Sequence, residues 1–224
     1  MKPRILSIDT SGAFGSLALT AGEEIVEELP LHSPDGFGQI LFGALESLLN
    51  RHGWRVAEID CYAAGTGPGS FTGVRIALAA AKGLAASYHR PLVGVSNLRA
   101  LAASGSGPMR APLLDARRGE IYGGLYGAEL DRLADEVVMP LPDFLARLPD
   151  ADVELIAQDF TLFEAALAGS RYAALRRQQA PRAMAASIAR IAARSYAAGL
   201  TADPALVDAN YVRRSDAERF WVDR

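Results

Sequence analysis

The sequence predicts a mixed α/β fold, and the order of its apolar segments is the main indication. Three β-compatible runs come first, at residues 4–9, 15–20 and 24–31, with short turns between them. An amphipathic helix, a buried strand at 61–64, an alanine-rich helix and another short strand at 92–95 follow. Strands in succession, followed by alternating helices and strands, are typical of a mixed α/β protein.

The individual elements follow from spacing and turn residues. The first three runs are joined by glycine-containing turns, which predicts a β-meander. Apolar residues then recur at helical spacing between 37 and 48, and the helix should end near residues 52–53. In the second half we expect strands at 112–116, 121–126 and 153–157, a loop or hairpin at 130–136, and helices at 161–167 and 183–197. The small residues at 103–108, which end in a proline, are the best domain boundary.

A glycine-rich loop at residues 65–73 joins a buried strand to the alanine-rich helix. Backbone N–H groups at a helix start favour an anion, and glycines allow it a close approach. Thr72 is a candidate N-cap. The loop lacks the Gly-Lys-Ser/Thr of a P-loop and the spacing of a dinucleotide fingerprint. A tight, closely packed turn is therefore as good an interpretation as an anion site.

Composition sets limits on the class of protein. The chain has 224 residues, half of them apolar and 22% charged, with a formal net charge of -3. These values favour a packed core and predict no strongly basic surface for binding RNA. The single cysteine, the lack of an apolar leader and the lack of a long apolar run predict a cytoplasmic protein without a membrane span. A late arginine cluster reads as a solvated helical face or a minor contact with nucleic acid or an acidic partner: Arg171, Arg176, Arg177, Arg182, Arg190 and Arg194.

The sequence offers little for metal or nucleophilic catalysis. His32, His52 and His89 are far apart, so no pair has the four-residue spacing that joins two histidines on a helix. Ser70 lacks the flanking glycines of a Gly-x-Ser-x-Gly elbow. Asp115 and Glu120 flank two arginines, which favours a surface salt-bridge cluster over acid–base work. We therefore expect no metal and no catalytic residue in this chain.

Several blocks in a fixed order resemble the TsaB (YeaZ) family. They are Ile-Leu-Ser-Ile-Asp-Thr-Ser at 5–11, the loop and helix at 65–85, Pro-Leu-Val-Gly-Val-Ser-Asn-Leu at 91–98, and Leu-Asp-Ala-Arg-Arg-Gly-Glu-Ile-Tyr at 114–122. The resemblance implies the actin-like ATPase (ribonuclease H-like) fold with two lobes, here divided into residues 1–103 and 104–224. It also implies a partner subunit, without an active site of its own, in making N6-threonylcarbamoyladenosine in tRNA.

The resemblance further implies the partners. A TsaD-type catalytic subunit and a TsaE-type small ATPase are expected, a homodimer is the alternative assembly, and tRNA contact is indirect at most. No cofactor is expected in the isolated chain, although the resemblance allows for a nucleotide bound within the complex. The rival functions are an actin-like ATPase or kinase and, more remotely, a peptidase of the glycoprotease type.

Two groups of site residues follow from the resemblance together with the loop chemistry. A phosphate or nucleotide contact, or simply a structural turn, is predicted for Asp9, Thr10, Ser11, Gly69, Ser70 and Thr72. A partner interface is predicted on the helices around 36–50 and 73–87, through Phe37, Leu41, Leu45, Leu48, Arg75, Ala77, Leu78, Ala81 and Lys82. Burial of these apolar residues within the domain is the alternative. Gly36 and Gly38 weaken the first turn of the earlier helix, so it is expected to start late.

Overall fold

A computed structural model of the chain describes residues 2–213. Two five-stranded sheets organise it, in two compact units whose described residues are 2–100 with 182–209, and 101–181 with 210–213. The predicted boundary at 103 lies close to the first change of unit. The predicted second lobe, however, included residues 182–209, which the structure groups with the first sheet.

The first sheet combines a meander with two parallel strands. Its spatial order is β3-β2-β1-β4-β5, in which β1, β2 and β3 are antiparallel and β1, β4 and β5 are parallel. The strands are β1 Arg4–Asp9, β2 Gly15–Ala21, β3 Glu24–Leu31, β4 Cys61–Gly65 and β5 Leu92–Val95. The predicted meander and the strand at 92–95 are therefore confirmed.

Helices cover both faces of this sheet. On one face lie α1 (Leu41–Arg51) and α2 (Phe71–Ser87), which share a core with Leu6 and Ile8 of β1. On the other lies α6 (Ala185–Ala197), where the Ser7 hydroxyl donates to the carbonyl of Ala185 at 2.6 Å. The alternation of side chains along β1 explains this division, since successive residues of a strand face opposite sides.

The start of α6 is held by residues far away in the sequence. The Ser16 hydroxyl accepts hydrogen bonds from the amides of Met184 (3.1 Å) and Ala185 (2.9 Å), and Glu28 Oε1 accepts one from Ala186 (2.9 Å). These are the donors that a helix start leaves without intrahelical partners. Because β2 and β3 provide this cap, α6 is positioned on the first sheet.

The second sheet repeats the topology of the first. Its order is β8-β7-β6-β9-β10, again three antiparallel strands followed by two parallel ones. The elements of this part are β6 Met109–Arg117, β7 Glu120–Gly127, β8 Arg132–Pro140, α4 Leu141–Ala146, β9 Val153–Ala157, α5 Glu164–Ala168 and β10 Arg176–Gln179. The short helix α3 (Asn97–Ala102) precedes it in the chain. Two similar half-domains are what the predicted fold requires.

Two predictions about local structure have different outcomes. The acidic segment at 130–136 was predicted as a loop or hairpin, and the hairpin is confirmed, since β8 pairs antiparallel with β7 across the turn at residues 128–131. Arg176 and Arg177 lie on β10 and not on a helical face, and they pair with Asp152 (3.2 Å) and Glu164 (2.9 Å). The tail at 214–224 lies outside the described residues.

Candidate functional site

A polar junction forms where β1, the glycine loop and α3 meet. Asp9 is the last residue of β1 and is fully buried, as are Thr10 and Asn97, the first residue of α3. Parallel strands place their carboxyl ends at one edge of a sheet, which is where ligands bind in open α/β proteins. The structure therefore brings the predicted residues Asp9, Thr10 and Ser11 against the glycine loop.

Asn97 is the residue at this junction that the sequence analysis did not assign. Its side-chain amide donates to Asp9 Oδ1 (3.0 Å) and to Ser11 Oγ (2.7 Å), while its carbonyl oxygen accepts from the Gly67 amide (2.6 Å). One side chain thus joins the β1 turn to the glycine loop. The signal was the polar pair Ser96-Asn97 that directly follows the buried strand at 92–95.

Asp9 occupies an unusual environment for a carboxyl group. Its Oδ1 accepts from Asn97 and from the Ser11 amide (3.2 Å), whereas Oδ2 has no hydrogen-bond partner among residues 2–213. Burial raises the pKa of Asp9, and the hydrogen bonds from Ser11 and Asn97 oppose that rise without cancelling it. The environment therefore favours the protonated, uncharged acid more than water does.

The glycine loop uses several of its amides to bind the chain itself. The Ser70 amide donates to the Ser11 carbonyl (2.7 Å), and the Gly67 amide is held by Asn97. A Cβ on Gly73 would overlap the Thr10 carbonyl oxygen, and one on Gly69 would lie 2.7 Å from the Ser11 carbonyl oxygen. The glycines thus permit two backbone segments to touch. This geometry supports the tight-turn interpretation, and a phosphate contact here stays a prediction.

The N-cap of α2 is Ser70, so the prediction of Thr72 is wrong. The Ser70 side chain accepts from the Gly73 amide at 3.3 Å, and the helix begins at Phe71. Thr72 is exposed within the first turn. The loop ends two residues earlier than expected, because Ser70 is also anchored through its own amide to Ser11.

The three histidines have separate structural environments. His32 stacks on the Phe14 ring with a centroid distance of 4.8 Å, and His52 Nε2 lies 2.6 Å from Glu27. His89 follows the C-terminus of α2 with a left-handed φ of 52°. In residues 2–213, no group of three His, Cys, Asp or Glu side chains is arranged to hold a metal ion.

Most residues of the predicted interface lie inside the chain's own core, which corrects that prediction. Each of these side chains is at most 7% exposed: Phe37, Leu41, Leu45, Leu48, Ala77, Leu78 and Ala81. They form one hydrophobic cluster with the face of the first sheet that α1 and α2 cover. These residues are therefore buried within their own domain, which was the alternative to an interface. The expected late start of the helix is confirmed, since a 3₁₀ turn at Phe37–Gln39 precedes α1.

The outer faces of the same two helices carry exposed aromatic residues. Phe42 on α1 is 57% exposed and Phe71 at the start of α2 is 47% exposed. The Arg75 guanidinium lies 3.5 Å from the centroid of the Phe71 ring, a cation–π arrangement. Lys82, by contrast, is partly buried and donates to the Val207 carbonyl at 2.7 Å. Of the nine predicted interface residues, Arg75 is the one the structure places on the exposed face.

The predicted salt-bridge cluster around Asp115 and Glu120 is present. Arg117 lies 3.5 Å from Asp115, and Arg213 pairs with Glu120 while donating to the Ala116 carbonyl at 2.8 Å. The carboxylates therefore pair with arginines, as the sequence analysis favoured.

None of the helices in residues 2–213 combines the length and the hydropathy needed to cross a membrane.

The repeated sheet topology defines the class of protein. The fold is that of the actin-like ATPases. It is shared by the ethanolamine utilization protein EutJ from Carboxydothermus hydrogenoformans, at a TM-score of 0.55 and 14% identity over 84% of this chain and 89% of that one. At that identity the likeness concerns the fold alone.

Closer similarities define the family. YeaZ from Pseudomonas aeruginosa matches with a TM-score of 0.76 and 27% identity, over 93% of this chain and 99% of that one. The family model for TsaD, tRNA N6-adenosine threonylcarbamoyltransferase, matches residues 29–210. The tRNA threonylcarbamoyladenosine biosynthesis protein TsaB of Bacillus subtilis is 34% identical over 66% of this chain and 67% of its own length. The TsaB protein of Escherichia coli is 36% identical over 55% and 54%, about half of each chain. The chain belongs to the TsaB (YeaZ) family.

Proposed function

We propose that this chain is a non-catalytic partner subunit in tRNA threonylcarbamoyladenosine biosynthesis, where it binds and activates a TsaD-type threonylcarbamoyl transferase. Relatives named for that pathway support the process. The observation that carries the partner role is the exposure of two large aromatic side chains, Phe42 on α1 and Phe71 at the start of α2. Exposed apolar side chains mark a protein interface when they lie in one contiguous patch, and the proposal assigns these two rings to such a patch.

The shape of α2 suits the close approach of another helix. Along its exposed side, Phe71, Arg75, Ala79 and Gly83 follow one another at intervals of four residues, so they share one stripe. Ala79 and Gly83 add little bulk to the stripe, which allows a short distance between helix axes. Phe71 lies at the other end of this stripe, and burial of its ring, like burial of Phe42 on α1, would contribute roughly 1.5–3 kcal/mol.

Activation follows from selective binding. A subunit that binds the competent conformer of its partner more tightly than other conformers raises the population of that conformer. The same surface would serve a homodimer when the partner is absent, and the assembled pair would provide the docking site for a TsaE-type small ATPase. A nucleotide would bind within the complex and not to the isolated chain. In this scheme the chain works in the cytoplasm.

An actin-like ATPase or kinase is the alternative. One observation favours it: Asp9 Oδ2 is buried without a partner among the described residues and lies at the sheet edge where this fold class binds ligands. The raised pKa of Asp9 and the engaged loop amides make the junction less suited to a charged Mg²⁺–phosphate group. A peptidase is less well supported, since the Ser70 hydroxyl caps α2.

The experiment that tests the partner role is a mixed-complex measurement. The purified chain is combined with the TsaD-type protein of the same organism, and mass is measured by size-exclusion chromatography with light scattering. We expect a mixed complex that Phe42→Glu and Phe71→Glu weaken at least tenfold. Leu162→Glu is the matched control, because Leu162 is 63% exposed and lies outside both helices.

Substitutions at the buried positions would give an ambiguous result. Leu45→Glu or Ala81→Glu places a charge in the core and unfolds the chain, so a lost complex would not report on an interface. If the folded parent chain forms no mixed complex, or if Leu162→Glu weakens it as much as Phe42→Glu does, the partner surface is wrong. Mg²⁺-dependent nucleotide hydrolysis that Asp9→Ala abolishes would support the ATPase instead.

A further inference from the structure

Asn97 holds the glycine loop through both backbone groups of one loop residue. Its side-chain oxygen accepts from the Gly67 amide at 2.6 Å, and its own backbone amide donates to the Gly67 carbonyl at 2.8 Å. The side-chain amide donates in turn to Asp9 Oδ1 (3.0 Å) and to Ser11 Oγ (2.7 Å). Asn97 is fully buried, so a hydrogen bond lost here leaves a buried polar group unpaired. One side chain thus fastens the loop to the end of β1.

The loop depends on such anchors because of its composition. Gly65, Gly67 and Gly69 alternate along it, and glycine loses more conformational freedom on ordering than any other residue. A second anchor is the Ser70 amide, which donates to the Ser11 carbonyl at 2.7 Å. Without the Asn97 side chain, the segment between β4 and Ser70 would therefore sample more conformations.

The exposed ring of Phe71 follows this loop directly. Phe71 is the first residue of α2, and three residues separate it from Gly67. Phe42 differs, because it lies inside α1 between the buried residues Leu41 and Leu45. The place of Phe71 therefore depends on the loop, whereas the place of Phe42 is fixed by the packing of its own helix.

We infer that Asn97 is a positioning residue for the partner surface, because it fixes the loop and so orders the Phe71 ring before the partner binds. The inference rests on the proposed function, in which Phe71 contacts a TsaD-type protein. A group that is already ordered in the free chain loses less entropy on binding, so the complex is tighter. The buried junction at the edge of the first sheet thus acts on an exposed contact without touching the partner.

The test is a double-mutant cycle on the affinity of the mixed complex, measured by titration calorimetry with the TsaD-type protein of the same organism. Asn97→Ala should weaken the complex about fivefold in the parent chain but by less than about twofold once Phe71→Ala is present. In the Phe42→Ala background, Asn97→Ala should keep its full effect. A general loss of stability would not produce coupling with Phe71 alone.

A matched control separates positioning from stability. Ser7 is fully buried, and its hydroxyl donates to the Ala185 carbonyl on the face of the sheet that α6 covers. Ser7→Ala removes this buried hydrogen bond away from the loop, so it should destabilise the fold and change partner affinity by less than about twofold. Hydrogen exchange of the free chain should be faster at residues 66–71 in Asn97→Ala and unchanged in α1.

A milder variant covers the case in which Asn97→Ala does not fold. Ser11→Ala removes one acceptor of the Asn97 amide and leaves the bond to Gly67, so it should weaken the complex about twofold, again only where Phe71 is present. The inference is overturned if the variant that folds binds like the parent, if its loss persists in the Phe71→Ala background, or if Ser7→Ala weakens the complex equally.

The same measurements distinguish the two proposals. Each of those three outcomes leaves a mixed complex in place, so the partner role stands while the role of Asn97 falls. If the folded parent chain forms no mixed complex, or if neither Phe71→Ala nor Phe42→Ala weakens it, the proposed partner surface is wrong and the inference is overturned with it.

Discussion

The glycine loop and the tip of the β6–β7 hairpin, residues 117–119, are both places where a side chain is unfavourable, and they differ in whether glycine stands there. At the loop, a side chain on Gly73 would overlap the Thr10 carbonyl, and glycine removes the conflict. At the tip, Arg117 and Arg118 keep full side chains at φ values that favour glycine. The loop is packed against Ser11 and Asn97, whereas the tip is exposed.

The difference shows what each turn contributes. In the interior, glycine lets two segments of backbone touch, so the residue serves packing and stability. At the surface the chain retains strain of about 1–2 kcal/mol per left-handed residue, which glycine would relieve. Stability alone favours glycine at both places. Substitutions at the two sites should therefore change stability in opposite directions.

Gly73→Ala should give the largest effect. Its Cβ would meet the backbone of Thr10, which cannot move without opening the junction, so we expect a loss of about 3 kcal/mol in the free energy of unfolding. Gly83→Ala is the control on the same helix, because no atom of the described residues lies within 4 Å of the Cβ it adds. It should stabilise by up to ~1 kcal/mol. Equal effects of the two variants in urea denaturation would contradict the close packing.

Asp9→Asn should give a smaller effect that depends on pH. Because burial raises the pKa of Asp9 in the folded state, the folded chain binds this proton more tightly than the unfolded chain. The contribution of Asp9 to stability is therefore fully present below the unfolded pKa of 3.8 and is lost as pH rises through the folded pKa. Asparagine does not titrate, so the stability of the variant relative to the parent should increase with pH.

Urea denaturation of both chains across this pH range measures that difference. Asp35→Asn is the control, because Asp35 is an exposed carboxylate on the same unit. A difference between Asp9→Asn and the parent that stays constant with pH would show that Asp9 is not shifted by burial. A difference that falls with pH would mean that the folded state stabilises the charged form.

Arg118→Asn should give the smallest change in stability, in the opposite direction to Gly73→Ala. Asparagine adopts left-handed φ more easily than arginine, so we expect a gain of up to ~1 kcal/mol in the free energy of unfolding. Thermal denaturation is a sufficient readout. A loss of stability would mean that the Arg118 side chain supports the hairpin, and the comparison between loop and tip would then fail.

Much of the fold could be predicted from the sequence. The three initial strands, the strand at 153–157 and the late helix follow from local periodicity, and the structure confirms them. The placement of α6 on the first sheet could not be predicted, because its cap comes from Ser16 and Glu28, more than 150 residues earlier. The strand β10 is short and polar, so its pattern did not distinguish it from a helix.

The site was predicted less well than the fold. The polar residues at the end of β1 were predicted as a phosphate contact or a structural turn, and the phosphate contact stays a prediction, whereas Asn97 gave only the weak signal of a polar residue after a strand. Leu45 and Ala81 were assigned to an interface because a helix's apolar residues do not reveal what covers them. The structure shows that their cover is the first sheet, and that Phe42 and Phe71 remain exposed.

The return of α6 to the first sheet has a consequence for synthesis on the ribosome. The β1–β5 sheet is complete once residue 95 has been made, yet the helix that covers its second face begins at residue 185. Because synthesis adds about 5–20 residues per second, that face stays exposed for several seconds or more until α6 has been made. The nascent chain therefore emerges with Ala18 and Ile25 uncovered by α6, and binders of unfolded chains should act on it in that interval.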